Sequence, residues 1–188
     1  MLYFDLVSPY AYLAVARATA VLPKPPELEP VLVGAIFKWR GSGSWAETSV
    51  RETRMAEIEA RARRYGLPPI AWPRTWPSSA LPAMRAATWA KEQGRLEKFA
   101  EAVYRAEFVG GQDAGDIGVL AACADEVGLD ADAIADVIQR PAIKEKLRRA
   151  TTAAWEAGVR GVPTLIVEGV VYYGDDQLEM AAQHGARS

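Results

Sequence analysis

One cysteine, one histidine and no asparagine occur in 188 residues. With Cys123 alone, no disulfide closes within the chain and no zinc site can be built from thiolates. His184 alone excludes a multi-histidine centre, so no metal site is expected. An excess of charge of either sign is also missing. The 22 Lys and Arg stand against 24 Asp and Glu, a net charge of −2, without the basic footprint of a nucleic-acid binder. No run approaches the ~20 apolar residues that span a bilayer. Met1-Leu2-Tyr3-Phe4-Asp5 carries no basic n-region, so no secretory signal is expected, and with it no membrane partner and a cytoplasmic location. Chemistry is left to hydroxyls, carboxylates, backbone groups and a borrowed cofactor. Apolar residues, at 50%, are plentiful enough for a packed core.

Residues 2–7, Leu-Tyr-Phe-Asp-Leu-Val, are short, apolar and rich in aromatic and branched side chains, which predicts a buried strand. Ser8-Pro9 follows as a helix N-cap with proline at the first helical position, and the helix ends before Pro23, Pro25 and Pro26. A second apolar run, residues 30–37, reads as another buried strand, giving a parallel βαβ unit with a right-handed crossover. After the loop Gly41-Ser42-Gly43-Ser44 the pattern turns helical. Residues 51–64 carry an Arg/Glu-rich pattern that predicts a solvated helix. Residues 69–82 are too rich in proline and tryptophan for regular structure, and Trp72 and Trp76 either pack a surface loop or line an aromatic pocket. Helices are expected over 82–92, 95–104, 116–127, 132–140 and 141–157, with Cys123 a small core residue and His184 solvated. A hairpin follows, Thr164-Leu165-Ile166-Val167 and Val170-Val171-Tyr172-Tyr173 around Glu168-Gly169, and then a helix opening at Gly174-Asp175-Asp176. The fold class expected is α/β, with the two chain ends in one sheet and an inserted all-helical domain between them.

Three features carry chemistry. Ser8 caps a helix whose N-terminal N–H groups and partial positive charge favour an anion, and a thiolate held there has its pKa lowered. Its hydroxyl can accept from its own helix while donating outward. Val162-Pro163 either simply starts a strand or forms a cis bond that turns the Val162 backbone toward an extended peptide. Asp175 and Asp176 either cap the last helix or pair with an α-amino group beside the helix N-terminus. Taken together they describe a slot that stabilises a thiolate, pairs with a peptide backbone and holds an amino-acid end. Glutathione has those parts in that order.

Phe4-Asp5-Leu6-Val7-Ser8-Pro9-Tyr10-Ala11-Tyr12-Leu13-Ala14, Gly34-Ala35-Ile36-Phe37-Lys38, Arg64-Tyr65-Gly66-Leu67-Pro68, Gly161-Val162-Pro163-Thr164 and Tyr173-Gly174-Asp175-Asp176-Gln177-Leu178-Glu179 resemble the 2-hydroxychromene-2-carboxylate isomerase family. That family is related to kappa-class glutathione transferases and, more distantly, to DsbA-like oxidoreductases. The resemblance implies a thioredoxin-like fold formed by residues 1–40 and 158–188, with residues 41–157 as the helical insertion. It also implies a homodimer, glutathione or an equivalent thiol as cofactor, and an aromatic carboxylate as substrate. Ser8 and Ala11 then stand where a redox relative has its two cysteines. In the family's terms Ser8 is catalytic, Pro163 is the cis-proline, and Val162, Asp175 and Asp176 bind the thiol. The family's asparagine after the IFK-type segment has no counterpart, and Ser42 is taken as its substitute. Lys38, following the second apolar run, either meets a substrate carboxylate or is a surface lysine. Asp175 stands where a neutral polar residue is more frequent. The alternatives are a kappa-like transferase or peroxidase, and a non-catalytic thioredoxin-like binding module.

Overall fold

The computed structural model describes residues 1–186. Strand β1 (Leu2–Phe4) pairs with β2 (Leu28–Pro30) in parallel and with β3 (Thr164–Val167) antiparallel, and β4 (Val170–Tyr173) closes the order β2-β1-β3-β4. Leu2 sits opposite Leu28 on one side and Leu165 on the other, so the two chain ends do share one sheet. This is the mixed α/β, thioredoxin-like architecture expected. The first strand is shorter than its apolar run, because Asp5 leaves the ladder and turns the chain into helix α1 (Pro9–Val21).

Helix α1 begins as its residues dictate. Ser8 is extended, its side chain accepts the Ala11 N–H at 3.3 Å, and Pro9 fills the first turn, where a missing N–H costs nothing. The helix buries Ala11, Leu13, Ala14 and Ala18, and ends where the Leu22 N–H bonds to Ala18 O ahead of Pro23.

The run 30–37 departs from expectation. Its strand is only β2, and helix α2 (Val33–Arg40) takes the rest. The reason is tertiary. The Leu32 N–H donates to Thr151 Oγ1 at 3.0 Å and the Val33 N–H to Asp5 Oδ2 at 2.9 Å. Partners 119 and 28 residues away thus satisfy the helix start, which has no cap of its own. Gly41, with φ of 72°, then closes the helix.

The helical block follows as α3 (Arg51–Arg64), α4 (Ala80–Glu92), α5 (Leu96–Phe108), α6 (Ile117–Glu126), α7 (Ile134–Val137) and α8 (Pro141–Glu156). The helix expected over 132–140 shortens to α7. Alanines 83, 86, 87 and 90 bury the α4 surface and let α5 and α8 approach closely. Tyr104 of α5 reaches the sheet and Phe108 reaches α1, with Phe4 and Tyr104 rings 6.3 Å apart and Tyr12 stacked on Phe108 at 5.4 Å. One apolar cluster therefore joins sheet and helices, each fully buried large side chain contributing about 1.5–3 kcal/mol. Helix α9 (Leu178–Gly185) packs back on α1 and β3, and His184 is not simply solvated, since its Nδ1 meets the Tyr172 hydroxyl at 2.9 Å. Among the described residues no helix is long and apolar enough to cross a membrane.

Candidate active site

A cleft of about 470 Å³ opens where distant segments meet: the mouth of α1, the stretch from α2 to α3, Trp76-Pro77, the loop of Val162, and the chain after β4. Ser8, Val162, Asp175 and Asp176 all line it. Ser8 Oγ accepts from Ala11, and its own proton has no acceptor among the described residues. The Val162–Pro163 bond is cis. Neither the N–H nor the C=O of Val162 has a hydrogen-bond partner among the described residues. Pro163 itself lies behind the lining, and its carbonyl accepts the Gly174 N–H at 3.0 Å, tying the cis peptide to the turn that carries the aspartates.

Two glycines permit this arrangement. Gly174 has φ of 113°, and a Cβ there would come within 2.7 Å of Asp176 Oδ1. At Gly161 a Cβ would meet the Tyr173 ring at 2.7 Å, so only glycine allows that ring to pack across the loop.

The adjacent aspartates differ in role. Asp175 is 1% exposed and accepts from Arg61 Nη1 at 2.7 Å and from the Tyr65 hydroxyl at 2.9 Å. Burial pushes its carboxyl up, and Tyr65 and Arg61 pull it partly back. Arg17 lies over the Tyr65 ring, donates to the Asp175 carbonyl at 3.2 Å and pairs with Glu179. Asp175 is thus consumed by the protein's own network, whereas Asp176 is half exposed and 3.7 Å from Arg61. The carboxylate that stands where a neutral polar residue is more frequent is thus compensated within the protein by Arg61 and Tyr65.

Lys38 and Ser42 do not line the cleft. Because residues 33–40 are helical, Val33, Phe37 and Arg40 share the inward face and Lys38 turns to solvent. Ser42 is exposed and accepts from Arg40 Nε at 2.9 Å. Arg40 and Ser44 stand in the cleft wall instead.

Helix α3 is likewise not a purely solvated face. Arg54 and Arg61 line the cleft, and the spacing 54, 58, 61, 65, with Ile58 buried, was the signal in the sequence. The remaining wall is aromatic. Tyr10 and Trp45 rings lie 6.0 Å apart, Trp45 and Trp76 5.3 Å, and Trp72 backs Trp76 at 4.7 Å. Trp76 therefore belongs to an aromatic pocket, and Trp72, bonded to Glu59 at 2.8 Å, packs behind it.

Asp5 connects both sides of the cleft. Fully buried, it accepts from Val7 at 3.2 Å and from Val33 at 2.9 Å, fixing the start of α2 against the turn into α1. Burial raises its carboxyl to about 6. Behind the Trp76–Pro77 segment, Glu107 is fully buried and accepts from the Ala114 N–H at 3.0 Å, and burial pushes it to about 8.

A family model described as the DSBA-like thioredoxin domain matches residues 1–185. The chain is 32% identical over 184 residues to a 2-hydroxychromene-2-carboxylate isomerase of Sphingobium xenophagum, covering 94% of this chain and 92% of that protein. A solved structure of a 2-hydroxychromene-2-carboxylate isomerase superposes with a TM-score of 0.88 at 21% identity, covering 99% of this chain and 93% of that one. A probable DsbA oxidoreductase from Streptomyces coelicolor gives 0.71 at 22% identity, over 99% of this chain and 87% of that one. At such identities the two structures speak for the fold alone.

Proposed function

We propose that this chain, which belongs to the DSBA-like thioredoxin domain family and within it to the 2-hydroxychromene-2-carboxylate isomerases, isomerises an aromatic carboxylate with the help of glutathione or an equivalent small thiol. The observation that carries this reading is the convergence of Ser8, Val162 and Asp176 on one cleft.

The residues suit such a thiol along its length. Ser8, its lone pair engaged by Ala11, keeps its proton for an anion, and the first N–H groups of α1 add positive potential at the same place. The unpaired Val162 backbone suits an extended peptide. Asp176, exposed and next to a compensated Asp175, suits an α-ammonium group. When bound, the thiol supplies the nucleophile that adds to a conjugated substrate and leaves again after the bond has rotated. The chain's part is to hold the sulfur ionised, fix its direction and keep water from the aromatic wall. Disulfide exchange through the helix mouth is chemically excluded, since Ser8 and Ala11 carry no sulfur. Cys123 lies buried in α6 with its thiol pushed up to about 11 by burial.

Ser8→Ala tests the reading. The ultraviolet band of enzyme-bound thiolate is expected to vanish, and kcat/KM for thiol-dependent isomerisation to fall roughly 10²–10³-fold, the scale of losing one donor to a developing anion. A rate that survives the substitution overturns the role of Ser8. Net consumption of glutathione into product assigns a transferase instead.

A further inference from the structure

The thiol reading uses the α1 mouth and the β4 side of the cleft and leaves the tryptophan side without a task. Arg61, beside both aspartates, and Arg54 lie seven residues apart on α3, a separation of about 10 Å along the helix. The carboxylates that line the cleft, Asp175 and Asp176, are therefore at one end. Arg51, over the Trp76 ring, and Arg54, three residues on, mark the other end, while Arg40 stands toward the loop of Val162. Arg40 is held by Arg160 O and Ser42 Oγ, each at 2.9 Å, with no carboxylate partner among the described residues. Arg51 braces Trp76 by donating to its carbonyl at 2.7 Å. Arg54 is half exposed, and Glu57, which it meets at 3.0 Å, is shared with Arg61 at 2.6 Å. Its guanidinium lies beside the Tyr10 hydroxyl, which is shielded from water without a hydrogen bond of good geometry. Trp45 and Trp76 form the adjoining apolar wall.

We infer that Arg54 is the specificity-determining residue of this cleft and receives the carboxylate of an aromatic acid whose rings lie against Trp45 and Trp76. The inference rests on the isomerase reading for the substrate class and assigns to Arg54 the part that the sequence suggested for Lys38. A planar guanidinium takes a carboxylate through two parallel N–H bonds, and the indole faces exclude the water that would screen them. A neutral ring of the same size keeps the stacking and loses the charge-assisted bonds.

Calorimetric titration of the whole chain with 2-naphthoate and with its neutral relative 2-naphthalenemethanol, in the absence of any thiol, tests this. The acid is expected to bind more tightly than the alcohol. Arg54→Ala is expected to weaken the acid roughly 10–100-fold and leave the alcohol unchanged, with Arg54→Lys in between. Equal weakening of both ligands, or unchanged affinity for the acid, overturns the inference. A Ser8-dependent isomerase whose Arg54→Ala variant still prefers the anion overturns this inference alone. An inactive protein in which Arg54 selects the anion supports it and overturns the isomerase reading.

Discussion

Two carboxylates are buried at the cleft, one in its wall and one behind it, and the protein deals with their charge in different ways. At the hairpin end Asp175 is met by a guanidinium and a phenol, Arg61 and Tyr65. At the tryptophan end Glu107 has only neutral company, the Ala114 N–H and the neighbouring Ser78 hydroxyl, while Asp113 and Asp5 repel its ionised form. Both carboxyls are raised by burial, but at Asp175 a cation pulls back and at Glu107 none does. One end therefore relies on an ion pair that must not be broken. The other relies on a proton that must not leave.

The largest expected effect is at the paired end. Asp175→Ala takes the acceptor from the Tyr65 hydroxyl and leaves Arg61 only Glu57 and the half-exposed Asp176, and is expected to cost about 2–3 kcal/mol in urea unfolding. Asp176→Ala, one residue on and half exposed, is expected to stay within about 0.5 kcal/mol while weakening thiol binding. Equal losses at the two positions would erase the distinction between them.

Glu107 comes next, and its effect depends on pH. Its carboxyl sits at about 8 in the folded chain and near its ordinary 4.5 in the unfolded one. The folded state therefore holds more protons between those values. The stability that this proton secures is complete below about 4.5 and is lost as pH rises through about 8. Asp5, raised to about 6, adds the same trend over a lower window. Glu107→Gln cannot ionise, so it should flatten the decline and exceed the parent at high pH by on the order of a few kcal/mol. Unfolding at the two pH extremes checks it, and an unchanged slope would assign the dependence elsewhere.

The smallest effect belongs to Lys38→Ala, which should leave both stability and affinity for an aromatic acid nearly unchanged, since Lys38 faces solvent. A clear loss of affinity there, in the same titration used for Arg54, would return the carboxylate contact to the position the sequence first suggested.

Legibility in the sequence followed the range of the interactions. The Ser8-Pro9 cap, the hairpin around Glu168-Gly169 and the glycine ahead of Asp175 are decided within a few residues, and each stands where the pattern places it. Helix α2 was missed because its start is satisfied by Asp5 and Thr151, which no local pattern reports. The Arg/Glu run on α3 reads as a solvated face until Asp175, 114 residues later, arrives to pair with Arg61. The places of the two tryptophans depend on Arg51, which holds the Trp76 carbonyl, and on Phe108, against which Trp72 packs, both far away in the sequence.

The sequence by itself settled the helix mouth that offers a hydroxyl and partial positive charge, the absence of a second cysteine, and the sheet-forming ends. All of these follow from backbone preference and composition, which act over a few residues. Only the tertiary structure decided which aspartate is free and which is spent, which arginines face the cleft, and whether a buried acid keeps its proton. Those outcomes depend on desolvation and on charges brought together from far apart in the chain, and such energies exist only after the chain has closed.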